Sequence, residues 1–243
     1  MINKMVSVDF WNTLVDADKN GEKRTDARMQ ALRSVARQHG MDLGDDAIRQ
    51  AREEVSRIFD EEWYGRQRTQ TTDELVRGMV RVLGIPAAPA QIDELTEAFR
   101  QSLFLGPPPL AGGVKESLEA ISTYYSLAII SDTMFSPGSV IRTYLDQMGV
   151  LKYFQAFAFS DELGVSKPHK KSFETVLKAT GAQLSGSWHV GDMLQTDIAG
   201  AKSIGLRSIL YTGFSTPDSR ESSADYNCAT WENVADILIS ELG

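Results

Sequence analysis

Four stretches of the sequence carry side chains able to do chemistry, and each lies beside a short apolar run or a loop. Val6-Ser7-Val8-Asp9-Phe10-Trp11-Asn12-Thr13-Leu14 delivers a carboxylate, Asp9, from the end of an apolar segment. Leu127-Ala128-Ile129-Ile130 is followed by Ser131-Asp132-Thr133, and Gly164-Val165-Ser166-Lys167-Pro168 puts an ammonium in a loop before a helix candidate. Trp188-His189-Val190 runs into Gly191-Asp192, with Asp197 on the next turn. A carboxylate at a strand end can be a turn residue, a metal ligand or a nucleophile, and Asp9 alone does not choose among these.

Side-chain type suggests a division of labour. Asp9 can attack an electrophilic phosphorus and form an aspartyl-phosphate, provided two like-charged groups are first brought together. A Mg²⁺ ion would do so, since it takes oxygen ligands; Asp9 and Asp192 would supply charge, with Asp197 as a third ligand or as support for the others. Lys167 offers a point charge to phosphoryl oxygens and Ser131 a hydroxyl donor. Thr13, Asp132 and the amides of residues 10–12 complete the expected substrate-binding set. Taken singly, each motif has a plainer reading: Ser-Asp as a helix cap, Lys-Pro as surface, Gly-Asp as a turn. It is their joint occurrence, each in a position to meet the others, that favours chemistry.

The elements that must position these groups follow an α/β rhythm. After Asp9, Lys19-Asn20-Gly21 breaks the pattern, and helical spacing of Leu32, Val35 and Ala36 begins. A second helix is expected from Asp45 to Trp63, with Ile48, Val55, Ile58 and Phe59 as its apolar stripe. A third is expected after the capping residues Thr71-Thr72-Asp73-Glu74, and a fourth from Ala90 to Leu105. Gly106-Pro107-Pro108-Pro109 ends the helical block. Beyond it, helices (Val114–Tyr124, Val140–Met148, Lys171–Thr180, Ile198–Ile204, Val234–Leu242) alternate with strands (Leu127–Ile130, Phe157–Phe159, Trp188–Val190, Ser208–Tyr211). That alternation implies a Rossmann-like parallel sheet of the α/β class. The expected division is a core of residues 1–16 and 107–243 with a helical insertion at 17–106.

Composition narrows the class. The 243 residues are 42% apolar and 24% charged, ordinary for a globular protein. The net charge of −8 and the lack of a Lys/Arg block argue against nucleic acid and anionic membranes as partners. Cys228 is the only cysteine, so no intramolecular disulfide can form, and no apolar run approaches a membrane span. A soluble cytoplasmic protein with a small phosphorylated molecule as its partner is expected; the oligomeric state is not legible.

Over nearly its whole length the chain resembles the haloacid dehalogenase superfamily, mostly phosphatases with an aspartate nucleophile and Mg²⁺. Asp9 with Thr13 and Leu14 match the first motif, Ser131 the second, Lys167-Pro168 the third, and Gly191-Asp192 through Ala201 the fourth. The resemblance implies that the helical insertion is a cap closing over the site. It also implies that the backbone carbonyl of Trp11 joins Asp9, Asp192 and Asp197 around the metal.

Trp11 is also where the chain departs from the pattern, because the family's phosphatases carry there a second aspartate that acts as general acid and base. An indole exchanges no proton at useful pH, and Asn12 cannot replace it. Asp16 or Asp18 could swing in as a substitute acid. Other readings stay open: a Mg²⁺- and phosphate-binding protein without turnover, or a halide-displacing hydrolase. A phosphonate-cleaving reaction would need a cap lysine, and only Lys19 and Lys23 lie between Asp9 and the Gly-Pro break. His189 reads as a packed core residue, while His39 and His169 have no partner that sequence can name. In Trp63-Tyr64-Gly65-Arg66-Gln67-Arg68, Arg66 and Arg68 could read the substrate bidentately, or the loop is exposed and polar with its aromatics tucked into the bundle.

Overall fold

The computed structural model describes residues 3–214 and 222–242. The chain opens with β1 (Met5–Val8) and leaves the sheet at once for four helices: α1 (Gly21–Gln38), α2 (Asp45–Arg66), α3 (Thr72–Val82) and α4 (Pro89–Leu105). It then returns through α5 (Val114–Ser122), β2 (Ser126–Ser131), α6 (Gly138–Gln147), β3 (Phe154–Phe159), α7 (Ser160–Leu163) and α8 (Lys170–Thr180). It finishes with β4 (Trp188–Gly191), a wide π-type turn at Leu194–Ile198, α9 (Ala199–Ser203), β5 (Arg207–Tyr211), β6 (Tyr226–Cys228) and α10 (Trp231–Ser240).

All six strands pair in parallel in the order β3-β2-β1-β4-β5-β6. The order reverses at β1, which has β2 on one side and β4 on the other, and the crevice outside the carboxyl ends of such strands is where open α/β sheets hold ligands. Val8 is in register with Ile129 of β2 and Val190 of β4, so Asp9 emerges between the two strand ends. Parallel strands covered on both faces read as continuous apolar runs, and Leu127–Ile130 is buried throughout.

Helices α1–α4 build a hydrophobic cluster of their own, from Met29 through Phe99, distinct from the two clusters that cover the sheet. Helix α3 starts at a full capping box: the Thr71 hydroxyl accepts from the Glu74 N–H, and the Glu74 carboxylate accepts from the Thr71 N–H. The two connections between this insertion and the sheet are tied by buried Arg24, which donates to the carbonyls of Ala17, Lys19 and Gly106. Gly106 is obligatory for that junction, because a Cβ there would stand 2.6 Å from the Asn20 carbonyl oxygen and 3.0 Å from Arg24 and Lys23 side-chain carbons. Gly106→Ala is therefore expected to destabilise the protein by about 1–3 kcal/mol through overpacking, as measured by denaturant unfolding.

Several boundaries differ from the sequence expectation. Strand β3 begins at Phe154, three residues early, because exposed Gln155 interrupts an apolar run that is nonetheless alternating. Helix α2 continues past Trp63 to Arg66, and the helix expected over Ile198–Ile204 is split into the wide turn and α9. Helix α5 ends earlier, at Ser122, and α10 starts earlier, at Trp231, where the Thr230 hydroxyl caps it. The short β6 and α7 carry no periodicity long enough to announce them. Among the described residues no helix is long and apolar enough to cross a membrane.

Candidate active site

The loop after β1 is a tight turn in which the Leu14 and Val15 N–H groups both donate to the Phe10 carbonyl. Asn12 adopts φ 52°, a left-handed conformation that asparagine tolerates better than most residues, and its side chain accepts from the Ala17 N–H. Asp9 itself is pinned to the sheet by its N–H donating to the Val190 carbonyl at 2.9 Å. Its carboxylate is 4% exposed at the base of a cleft of about 160 Å³.

The end of β4 and the loop between α7 and α8 meet it there. Lys167, 3% exposed, donates from Nζ to Asp9 Oδ1 at 2.6 Å and to Asp197 Oδ1 at 2.7 Å. Asp9, Asp192 and Asp197 each offer a carboxylate oxygen, all within 4.8 Å of one another. Gly191 allows this crowding, since a Cβ on it would lie 2.3 Å from the Asp197 carboxyl carbon. The wide turn brings Asp197 back over the end of β4, where its Oδ2 accepts from the Met193 N–H at 3.0 Å.

Electrostatics differ among the three carboxylates. Burial raises Asp9 well above its ordinary value, with Asp197 and Asp192 adding to the shift and Lys167 opposing it. Burial and Asp197 push Asp192 up to about 7. For Asp197 burial also disfavours the charge, but Lys167 and His189 outweigh it and hold the group below the usual carboxylate range. Burial alone would lower Lys167; Asp197, Asp9 and Asp132 overcome that and keep the ammonium charged.

His189 is the packed core residue expected, fully buried and edge-on to Phe173 at 5.1 Å. It also holds the site, because Nε2 lies 2.9 Å from Asp197 Oδ1 and Nδ1 lies 2.9 Å from the Ser7 hydroxyl. Burial lowers its pKa, so it is neutral, and the Nε2–H tautomer satisfies both contacts.

The helical insertion roofs the cleft. Trp63, on α2, donates from its indole N–H to Asp132 Oδ2 at 2.9 Å, while Asp132 Oδ1 accepts from the Lys167 N–H at 3.0 Å. Burial raises the pKa of Asp132 against the pull of Lys167. The Ser166 N–H donates to the Gln67 carbonyl at 2.7 Å, and the Thr72 hydroxyl donates to the Met134 carbonyl at 3.3 Å. Trp11 lines the cleft opposite, packed edge-on against Phe10 at 4.8 Å and with the Arg24 guanidinium 5.9 Å from its ring centre.

Of the expected residues, Asp9, Trp11, Asp132, Lys167, Asp192 and Asp197 line this cleft together. Ser131 and Thr13 are buried and are not among its lining residues: the Ser131 hydroxyl makes a long 3.4 Å contact with the Asp132 carbonyl, and Thr13 Oγ1 has no partner among the described residues. Arg66 and Arg68 are not in the cleft. Arg68 pairs with Glu62 and Glu74, while Arg66 is exposed and makes one long contact, 3.4 Å, with Glu62. Asp16 and Asp18 are outside it as well; Asp16 accepts from the Asp18 and Lys19 N–H groups in the linker turn. Trp63 is the cleft residue the motifs missed. Its signal was the buried stripe Ile48, Ala51, Val55 and Phe59, which four further residues along reaches Trp63.

The comparisons agree with this geometry. Residues 46–211 match the family described as haloacid dehalogenase-like hydrolase. The chain is 29% identical over 241 residues to a glyceraldehyde 3-phosphate phosphatase of Pyrococcus furiosus, covering 98% of this chain and 90% of the relative. A glyceraldehyde 3-phosphate phosphatase of Pyrococcus abyssi is 28% identical over 210 residues, covering 86% and 81%. The fold is similar to that of a 2-haloacid dehalogenase from Pseudomonas syringae pv. Tomato DC3000, with a TM-score of 0.77 at 21% identity and full coverage of both chains. On the family match, which spans residues 46–106 of the insertion and the second to fourth motifs, this chain belongs to the haloacid dehalogenase-like hydrolases.

Proposed function

We propose that the protein is a Mg²⁺-dependent phosphatase for a small phosphorylated metabolite, working through an aspartyl-phosphate on Asp9, with residues 17–106 as a cap on a core of 1–16 and 107–243. The observation that carries this reading is the meeting of Asp9, Asp192 and Asp197 around the single ammonium of Lys167. The similarity to glyceraldehyde 3-phosphate phosphatases supports a small phosphate ester as substrate.

The residues fit a divalent cation. Two buried carboxylates, Asp9 and Asp197, and the half-buried Asp192 face one lysine, and Asp192 makes no ion pair among the described residues. A hard dication is the chemistry such an all-oxygen set accepts. Asp9, Asp192, Asp197 and the Trp11 carbonyl would hold Mg²⁺, which would offset the charge between an anionic phosphoryl group and the carboxylates. A halide-displacing reaction has no use for Asp192, whose charge would only repel its neighbours.

Asp9 supplies the attacking carboxylate oxygen, and Lys167 holds it in place and offers charge to the phosphoryl oxygens. Asp197 fixes Lys167, and His189 with the Met193 N–H fixes Asp197. Trp11 and Trp63 narrow the cleft and keep bulk water from Asp9. Trp11 lines the cleft where the family's acid/base aspartate would stand and has no proton to exchange at useful pH, so leaving groups that need no proton, such as acyl and aryl phosphates, are favoured.

General acid–base catalysis contributes typically about 10²–10⁴-fold. Trp11→Asp is therefore expected to raise turnover of a simple alkyl phosphate by about 10²-fold, while aryl phosphates gain less, so the aryl-to-alkyl ratio of kcat/KM narrows. An unchanged ratio in a folded variant would remove the leaving-group explanation. The phosphatase reading itself is tested by phosphate release from acetyl phosphate and p-nitrophenyl phosphate with Mg²⁺ and with chelator. Release only with Mg²⁺ is expected; binding of Mg²⁺ without release would mark a binding protein instead.

A further inference from the structure

A second cavity, of about 190 Å³, lies between α1, α2, α3 and the loop that follows Asp132. Its walls are largely apolar and adaptable, with Met29, Met79, Met134 and Phe135, but Arg28 and Arg52 also face it. The Arg28 guanidinium lies 4.4 Å from the centre of the Phe135 ring and donates to the Thr25 hydroxyl at 3.3 Å. It has no carboxylate partner among the described residues, and its charged neighbours are guanidiniums, Arg24 and Arg52. Burial, with those two like charges, pushes its pKa down to about 10. Arg28 is a half-buried cation without a counter-ion among the described residues, a cost to the fold that is relieved when an anion arrives.

The cavity and the cleft beside Asp9 are lined by residues close to one another along the chain. Arg24, beside Trp11, is one helical turn before Arg28 on α1. Met134 is two residues beyond Asp132, and Arg52 lies on the same helix as Trp63, which reaches the cleft.

We propose that the Arg28 cavity takes a second anionic group carried by the leaving alcohol, so that the substrate class is a phosphate ester with a further oxyanion, a carboxylate or a second phosphate. The proposal rests on the phosphatase reading above. It assigns to Arg28 the recognition that Arg66 and Arg68, outside the cleft, do not perform.

Three aryl phosphates with similar leaving phenols test it: 4-methylphenyl, 4-(carboxymethyl)phenyl and 4-(phosphonomethyl)phenyl phosphate, with the Mg²⁺-loaded protein. The anionic esters are expected to exceed the methyl ester in kcat/KM by about ten- to a hundredfold, as a charge-assisted hydrogen bond allows. The carboxymethyl and phosphonomethyl arms show which oxyanion is taken. Arg28→Gln should bring the ratio to about one and Arg28→Lys restore part of it, while metal-bound Tm of Arg28→Gln without substrate holds or rises because an unpaired half-buried charge has gone. Arg52→Gln, on the exposed side, should lower the ratio if Arg28→Gln does not fold. A ratio near one in the native protein, or one that survives both substitutions, overturns the proposal while hydrolysis of the methyl ester leaves the phosphatase reading intact. If no ester is hydrolysed, the phosphatase reading fails, and calorimetry decides the cavity: equal binding of the methyl and carboxymethyl esters overturns it.

Discussion

Asp9→Asn is expected to lower kcat/KM for p-nitrophenyl phosphate by about 10⁴-fold or more, the scale seen when a covalent nucleophile is removed from a site whose other members remain. The substitution is nearly isosteric, and Lys167 keeps its second partner, Asp197, at 2.7 Å. The fold should therefore survive. What disappears is the carboxylate oxygen that attacks, and an amide in the same place has neither the charge nor the nucleophilicity to replace it. Steady-state kinetics with Mg²⁺ at saturating and limiting substrate will separate loss of turnover from loss of binding. Turnover within tenfold of the native protein would mean that phosphate transfer, if it occurs, is direct to water.

Lys167→Met is expected to damage stability as well as catalysis. The ammonium is 3% exposed and bridges Asp9 and Asp197, 2.6 and 2.7 Å away. Removing one member of a buried ion pair leaves its partners uncompensated and costs about 3–5 kcal/mol. In a protein of this size that is a fall in Tm of roughly 6–20 °C. Methionine retains the apolar stem, so the effect reports charge rather than packing. Because Lys167 is held above its ordinary pKa, its contribution is fully present at neutral pH and is lost only as pH rises through the raised value. Differential scanning calorimetry of the metal-free variants measures the loss, and an unchanged Tm at neutral pH would show that the pairing is not what holds the three carboxylates together.

The cleft end of the sheet was legible because its geometry is a consequence of strand order. Asp9, Lys167, Asp192 and Asp197 each follow from an element whose carboxyl end must face one crevice, so their types and places in the chain were enough to bring them together. The roof was not legible in the same way. Trp63 reaches Asp132 only because α2 runs on past it and the insertion folds back over β2, and no local pattern states how a helical block is rotated on a sheet. The placing of Arg66 and Arg68 outside the cleft was not legible for a related reason: their fork geometry suggested a ligand, but Glu62 lies one turn back on the helix and Glu74 begins the next one. His189 could be placed in a strand but not joined to Asp197, since the wide turn that returns Asp197 over β4 departs from helical spacing.

The most direct measurement is to react the protein with acetyl phosphate and Mg²⁺, quench in acid, and map the phosphoryl group by mass spectrometry of the peptides. A hydroxylamine-labile adduct on the peptide that carries Asp9, absent from Asp9→Asn, is the result expected, and it should persist longer in the native protein than in Trp11→Asp. Phosphate release without any adduct on that peptide would contradict a covalent route through Asp9.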